Sequence, residues 1–336
     1  MKGGIEVQAK VKQNKSLSAR IKDTLNDPLK MRIAGNELVD MLLIIFKYVI
    51  LIGVSYVILA PVIGMVVNSI KSDADAFNPM VFVLPHHPTT EKYALAILRL
   101  DYWKTALKSL AYTITITILQ LLVCSMVGYG FARFEFPLKK LLFGCVVVMI
   151  IIPSHTIMLP IYFTFNKFDP FGLATKLTGT PGIMGTVIPM YMMTLLGCGL
   201  RSGLFIYIFN QFFRGLPKEI EEAAFVDGAG MFYTYSRIML VNAIPAVITV
   251  TVFSIVWQFN DVFYAKLFLI PDSTAISKRI ASLQGIIANE DQILSLTLQE
   301  LYRDAGAVLV ILPVVIIYLC LQKYFIEGVE RSGIVG

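Results

Sequence analysis

The sequence predicts an all-α membrane protein with six transmembrane helices, and two observations carry that prediction. Charge is scarce: Asp, Glu, Lys and Arg make up 15% of the 336 residues, 56% are hydrophobic, and the mean hydropathy is +0.70. A soluble domain holds about a quarter charged residues. Apolar runs also recur along the chain, at Leu42–Val67, Leu107–Phe131, Leu141–Phe165, Ile183–Phe212, Ala243–Phe268 and Ala305–Tyr324. Each is near or above the ~20 residues that a helix needs to cross the hydrocarbon core.

The elements follow in order. Residues 1–41 form a polar, basic N-terminal segment, with an amphipathic helix expected near "PLKMRIAGNELVDML". The first span starts too late, and with the wrong flanks, for a signal peptide. Residues 68–104 make the first outside loop, with turn-prone "FNPM" and "LPHHPTTEKY". The second span contains Thr113–Ile118, "TITITI", which alternates as a strand does. A strand is rejected there, because an open strand in lipid leaves its backbone unpaired and the apolar run is too long. The loop 166–182 is rich in Gly, Pro and Thr and is expected to be irregular. Arg201 stands inside the long fourth segment, where it either marks a break or snorkels to an interface. The loop 269–304 is polar, with some helix expected in it. Pro61, Pro153, Pro160, Pro189, Pro245 and Pro313 fall inside spans, where neighbouring helices repair the lost hydrogen bonds and each proline permits a kink.

The net charge of +6 is explained by the excess of Lys and Arg in cytoplasmic loops rather than by nucleic acid. Lys2, Lys10, Lys12, Lys15, Arg20, Lys22, Lys30 and Arg32 precede the first span. Arg133, Lys139 and Lys140 follow the second, and Arg214, Lys218 and Arg237 lie in the loop 213–242. If six spans alternate, all of these share one side, which places both termini and that loop in the cytoplasm. Cys124, Cys145, Cys198 and Cys320 fall inside spans without metal or disulfide spacing and are taken as small packing residues. There is no phosphate-binding G-x-x-x-x-G-K-[ST] loop and no H-E-x-x-H. His86, His87 and His155 are too few and scattered for a metal site. These absences set aside an enzyme.

The loop 213–242 carries the one unusual motif, "EEAAFVDGAG" from Glu221 to Gly230. Pro217 suits the first turn of a helix. Glu219, Glu221 and Glu222 follow in the early turns, where the helix dipole favours acids. Ala223 and Ala224 favour helix and leave a shallow surface. Asp227-Gly228 ends the helix, since Gly tolerates the left-handed turn. Gly230 loosens the restart, and a second short helix is expected over Met231–Leu240. A helix of about ten residues is marginal in water alone, so it either lies on the membrane surface or docks in a groove on another protein.

Glu222-Ala223-Ala224 followed by Asp227-Gly228-Ala229, Ile238 and Leu240 resembles the EAA signature of permease subunits in bacterial ATP-driven importers. One departure is Val241, where the family often has Pro. Further stretches resemble the carbohydrate ABC transporter permeases, specifically the shorter, maltose-type partner: Gly128–Phe143, Ile151–Phe163, His87–Tyr93, Trp257–Leu269 and the tail Leu321–Gly336. The resemblance covers roughly residues 42–336. It implies a type I ABC importer permease fold, with a six-span domain over 42–325, a cytoplasmic coupling helix and a cytoplasmic tail at 326–336. It also implies a bacterial plasma membrane location and a set of partners: a second permease subunit, two ATPase subunits, an external solute-binding protein, a sugar and membrane lipid. ATP and Mg belong to the ATPase, with no cofactor on this chain. A permease for a non-sugar solute is the alternative, and a stand-alone secondary transporter a more distant one.

On that resemblance Glu222 is the leading ATPase-coupling residue, with Ala223, Ala224, Asp227, Gly228 and Gly230 shaping the docked helix. Gly333 and Gly336 are candidate tail contacts. Polar groups inside spans tend to face a cavity or a neighbouring helix. Gln120, Ser154, His155, Thr156, Gln258, Asn260 and Asp261 are therefore candidates for the substrate path or for interhelical hydrogen bonds. Tyr191 and Trp257 are candidates to stack on a sugar face or to anchor an interface.

Overall fold

The computed structural model describes residues 28–81, 84–179 and 182–333. Among these, every regular element is a helix. The chain divides into two units, Met1–Gly64 and Met65–Gly336. The described part of the first is one helix, α1 (Pro28–Ser69), whose last turn belongs to the second unit. The expected amphipathic helix and the first span are thus one unbroken run of 42 residues. Residues 1–27 of the expected N-terminal segment lie outside the described residues.

In the second unit α2 (Asp73–Ala76) and α3 (Glu91–Leu100) lead to α4 (Tyr102–Arg133). The 32 residues of α4 extend about 48 Å at 1.5 Å per residue, well beyond the hydrocarbon thickness. "TITITI" lies within it as helix, as expected: Thr113, Ile116 and Thr117 are buried while Ile114 and Ile118 are exposed. Thr105, Ser109, Thr113, Thr117 and Gln120 recur every three or four residues and all are buried. Small and polar groups at this spacing let transmembrane helices approach closely and bond across the gap. Gly128 shows how close: a Cβ there would stand 2.6 Å from Phe209 Cβ and 3.0 Å from the Asn210 backbone nitrogen.

The remaining helices are α5 (Lys139–Ile151), α6 (Met158–Asn166), α7 (Leu173–Thr178), α8 (Ile188–Leu195), α9 (Ser202–Gly215), α10 (Glu219–Val226), α11 (Met231–Tyr233), α12 (Leu240–Asn242), α13 (Ile244–Phe259), α14 (Phe263–Leu267), α15 (Ile276–Glu290) and α16 (Leu296–Gly333). One apolar cluster, with Phe205, Phe209, Phe213, Tyr235 and Met239, binds α9 and the 231–242 segment to α4. Another, with Leu100, Phe259, Ile276, Leu283 and Val310, packs α3 and α15 against α13 and α16. There Arg99 holds Asp291 at 2.5 Å and Glu290 at 2.6 Å.

The predicted spans differ from the observed helices at identifiable residues. Among the described residues three helices are long and apolar enough to cross a membrane unbroken: Val39–Ser69, Tyr102–Arg133 and Leu296–Lys323. The third predicted span is a pair bent by 105° at Pro153. Proline removes a backbone donor and forces the preceding residue into extended conformation, as at Ile152 (ψ 122°). The fourth breaks between α8 and α9, with Gly197 at φ 73° and Arg201 at φ 60°, so Arg201 does mark a break. The fifth ends at Phe259, after a 77° bend from the 231–242 segment. Its last residues restart as α14, because the Asp261 carboxylate accepts the backbone N–H groups of Tyr264 (3.3 Å) and Ala265 (3.2 Å). The sixth is longer than expected, with helix running on to Gly333. The expected irregular loop 166–182 contains α7.

Candidate functional site

Two places collect the candidate residues: the hairpin that follows α9, and a cavity at the helix breaks. In the hairpin, Pro217 precedes the Lys218 N-cap of α10 rather than sitting in its first turn. Three acids, Glu219, Glu221 and Glu222, occupy that first turn. The helix ends as its Asp-Gly pair dictates. Gly228 takes φ 81°, its N–H bonds to the Phe225 carbonyl (3.0 Å), and the Ala229 N–H reaches the Ala224 carbonyl (2.9 Å). This double bond pattern satisfies carbonyls the helix end would leave open. Gly230 is extended, and its carbonyl accepts the Thr234 N–H at 2.9 Å. The expected second helix is α11 and α12 joined by a π-helical turn, Thr234–Met239.

The two faces of α10 are unlike. Glu221 and Ala224 point inward, 8% and 5% exposed. The Glu221 carboxylate accepts the Tyr129 hydroxyl proton and lies 3.2 Å from Arg133 Nε, an ion pair whose N–H points off the hydrogen-bond axis. Arg133 Nη2 donates to the Leu216 carbonyl at 2.8 Å. The hairpin is therefore fastened to α4 by the buried Glu221 carboxylate, by the Leu216 carbonyl and by a 2.6 Å hydrogen bond between Tyr235 and Ser125. Outward stand Glu222, Ala223 and Asp227, beside a run of exposed apolar side chains: Phe225, Val226, Met231, Phe232 and Tyr233. Of the two alanines only Ala223 presents a surface; Ala224 is spent on packing. Glu221, Tyr129 and Arg133 were not among the expected site residues. The available signal was that adjacent acids on a helix diverge by about 100°, so Glu221 and Glu222 cannot share a face. Gly333 ends α16, and Gly336 lies outside the described residues.

The cavity, of about 840 Å³, opens where three helices break. Its walls are the bend after α5 (Pro153, Ser154, His155), the break before α9 (Cys198, Arg201) and the restart at α14 (Asp261, Phe263, Tyr264). Non-helical backbone is tolerated at membrane depth where protein buries it or a cavity solvates it. His155 packs on Phe263 with ring centroids 4.4 Å apart. The Arg201 guanidinium lies 5.4 Å from the centre of the Trp257 ring, itself stacked on Phe205 and Phe253. Arg201 makes no ion pair among the described residues. The cavity thus offers a cation, a carboxylate and aromatic faces on an otherwise apolar wall, the few polar groups by which a pocket fixes a ligand's orientation. Cys198, expected as packing inside a span, stands exposed on this wall because the break carries it there.

Of the expected path residues only His155 and Asp261, with Ser154, line this cavity. Trp257 sits behind Arg201, and Thr156 is off the wall. Tyr191 is half-buried against Tyr112. Asn260 turns back on the Val256 carbonyl (2.8 Å). Gln120 is fully buried and interhelical: Nε2 donates to the Leu200 carbonyl at 2.7 Å, and Oε1 accepts from Ser254 Oγ at 2.7 Å and Gln258 Nε2 at 3.4 Å. It thereby satisfies a carbonyl that the break before α9 sets free. Among the described residues no three His, Cys, Asp or Glu side chains converge to hold a metal.

A family model described as binding-protein-dependent transport system inner membrane component matches residues 124–331. The putative ABC transporter permease protein ORF2 of Caldicellulosiruptor is 27% identical over 278 residues, 82% of this chain and 91% of its own length. The diacetylchitobiose uptake system permease protein NgcG of Streptomyces coelicolor is 27% identical over 289 residues, 85% of this chain and 87% of its own. Among solved structures, a chain of a bacterial ABC transporter involved in the import of the acidic polysaccharide alginate covers 85% of this chain and 97% of itself. It is 22% identical with a TM-score of 0.62, a likeness of fold.

Proposed function

The chain belongs to the family of binding-protein-dependent transport system inner membrane components, and from that premise we propose that it is one permease of an ATP-driven importer for a sugar or oligosaccharide. The observation that carries the reading is the outward face of α10: exposed Glu222 and Ala223 beside Val226 and Phe232, the last two 87% and 71% exposed. An apolar patch with a charged rim is the composition of a docking surface. Its partner is a cytoplasmic ATPase subunit, which supplies the ATP and Mg chemistry. A second permease, a second ATPase subunit and an external solute-binding protein complete the assembly. Relatives named for diacetylchitobiose and for arabinooligosaccharides support a saccharide as the solute over other classes.

The mechanism follows from where the parts are fastened. ATP-driven closure of the ATPase pair moves the α10 hairpin, which requires α10 to bind one ATPase conformation more tightly than the other. Glu221 and Arg133 pass that movement to α4, the helix that also holds the break before α9 through Gln120. His155, Arg201 and Asp261 border the route that opens and closes, with both termini in the cytoplasm. Glu222 orients the hairpin, Asp227, Gly228 and Gly230 shape it, and Gly333 and Gly336 are tail contacts.

The test is purification of the tagged chain from its host in mild detergent, with uptake measured in parallel. An ATPase subunit and a second, unlike permease co-purify, and Glu222→Lys lowers uptake and ATPase recruitment while membrane insertion stays normal. A chain active alone without ATP, or a Glu222→Lys variant with unchanged uptake and recruitment, overturns the reading.

A further inference from the structure

At the end of the bundle that carries α10, a second cavity of about 920 Å³ lies between the end of α4, the start of α5, the C-terminal part of α9 and the N-cap of α10. Five basic side chains line it, Arg133, Lys139, Lys140, Arg214 and Lys218, against one acid, Glu135. Two of the cations are committed: Arg133 to Glu221, and Lys139 to Glu135 at 2.8 Å. Lys140, Arg214 and Lys218 make no ion pair among the described residues. The surplus charge is felt locally. The Glu135 carboxyl is held below its usual range by the hydrogen bond from Lys139, and Lys218 and Lys140 pull the same way.

Three further observations narrow the ligand. Asn210 lines the cavity, is 2% exposed, and has an Oδ1 with no partner while its Nδ2 donates to the Gly128 carbonyl at 3.4 Å. An orphaned acceptor asks for a hydroxyl or N–H donor, which a phosphodiester lacks and a hydroxylated headgroup supplies. Leu138 and Leu141 stand 68% and 63% exposed on the same wall. Finally, the cavity sits where the hydropathy of the second and third spans gives out, between Phe131 and Leu141, which is the depth of lipid headgroups. Free cations, one buried acceptor and exposed leucines at that depth match three parts of one molecule: a phosphodiester, a headgroup hydroxyl and acyl chains. Neither a water-soluble anion nor an acidic peptide has any use for leucines set at the lipid boundary.

We propose that this cavity binds an anionic phospholipid whose headgroup carries a hydroxyl, of the phosphatidylglycerol kind. The proposal needs membrane insertion only and does not depend on which solute is imported. Occupancy places the headgroup beside Arg133, the partner of Glu221, so the bound lipid also braces the root of the α10 hairpin.

The test is native mass spectrometry of the full-length chain in detergent, titrated with dioctanoyl phosphatidylglycerol, dioctanoyl phosphatidylcholine or inorganic phosphate. One phosphatidylglycerol per chain is retained, at least tenfold tighter than phosphatidylcholine, and millimolar phosphate does not displace it. Each cation near an anionic headgroup is worth roughly fivefold, so Lys140→Gln with Arg214→Gln and Lys218→Gln weakens binding by about a hundredfold. Equal affinity for the two lipids overturns the proposal, and needs no variant. Displacement by phosphate reduces the site to a general anion site. Protection of Lys140 and Lys218 from acetylation by an added ATPase subunit, with no protection by phosphatidylglycerol, makes it a protein contact.

Discussion

Replacing Glu221 by Ala removes the one carboxylate that fastens the α10 hairpin to α4. The Arg133 side chain is 5% exposed and that of Glu221 10%, so solvent screens the pair little. Removing one partner of a buried pair leaves an uncompensated charge and costs about 3–5 kcal/mol. At about 1.4 kcal/mol per tenfold, local opening of the hairpin becomes roughly a hundredfold to several thousandfold more frequent. Eight helical residues have too little propensity to hold themselves against that loss. Glu222, next in sequence and exposed, is worth no more than about 0.5 kcal/mol to the fold. Amide hydrogen exchange of the detergent-solubilised chain separates the two: peptides over 219–229 exchange far faster in Glu221→Ala and as wild type in Glu222→Ala. With Arg133→Met added, the losses are non-additive by about 1–3 kcal/mol, since no charge is then stranded. Wild-type protection of 219–229 in Glu221→Ala, or strict additivity with Arg133→Met, refutes the fastening role.

Other outcomes follow from single positions. Gly128→Ala gains about 1 kcal/mol of helix propensity but drives a Cβ to 2.6 Å from Phe209 Cβ and 3.0 Å from a backbone nitrogen, so overpacking of about 1–3 kcal/mol wins and thermal unfolding comes earlier; unchanged or raised stability contradicts the close approach. Cys198 reacts with a charged, water-soluble thiol reagent while buried Cys124 does not, as mass spectrometry of labelled peptides will report; inert Cys198 removes it from a hydrated wall. Asp75 accepts the His87 backbone N–H at 2.8 Å, which holds its carboxyl below the usual range. A depressed folded value means stability present above the unfolded pKa of ~3.9 and lost as pH falls through the folded one. Exchange protection of residues 72–81 and 84–90 therefore falls below about pH 4, and Asp75→Asn abolishes that acid step.

Much of the molecule is legible without a structure because the signals are local. Apolar runs announce membrane helices, since lipid accepts no other open chain segment. Asp227-Gly228 announces the end of α10, because only the residues at that turn decide it. Arg201 flags its break by the same logic: a charge inside an apolar run needs a reason to be there. What the sequence by itself determined is therefore the helical class, the membrane location, the hairpin and the turn that ends α10. Tertiary structure alone decided which acid turns inward, since Glu221 and Glu222 are the same residue type one position apart and only α4, with Tyr129 and Arg133, tells them apart. It also decided that Gln120 serves the Leu200 carbonyl, 80 residues away, and that Pro153, Arg201 and Asp261 break three helices around one cavity. The physical reason is common to all of these: caps, turns and hydropathy act within a few residues, whereas a buried polar group takes whatever partner the packing of distant helices brings to it.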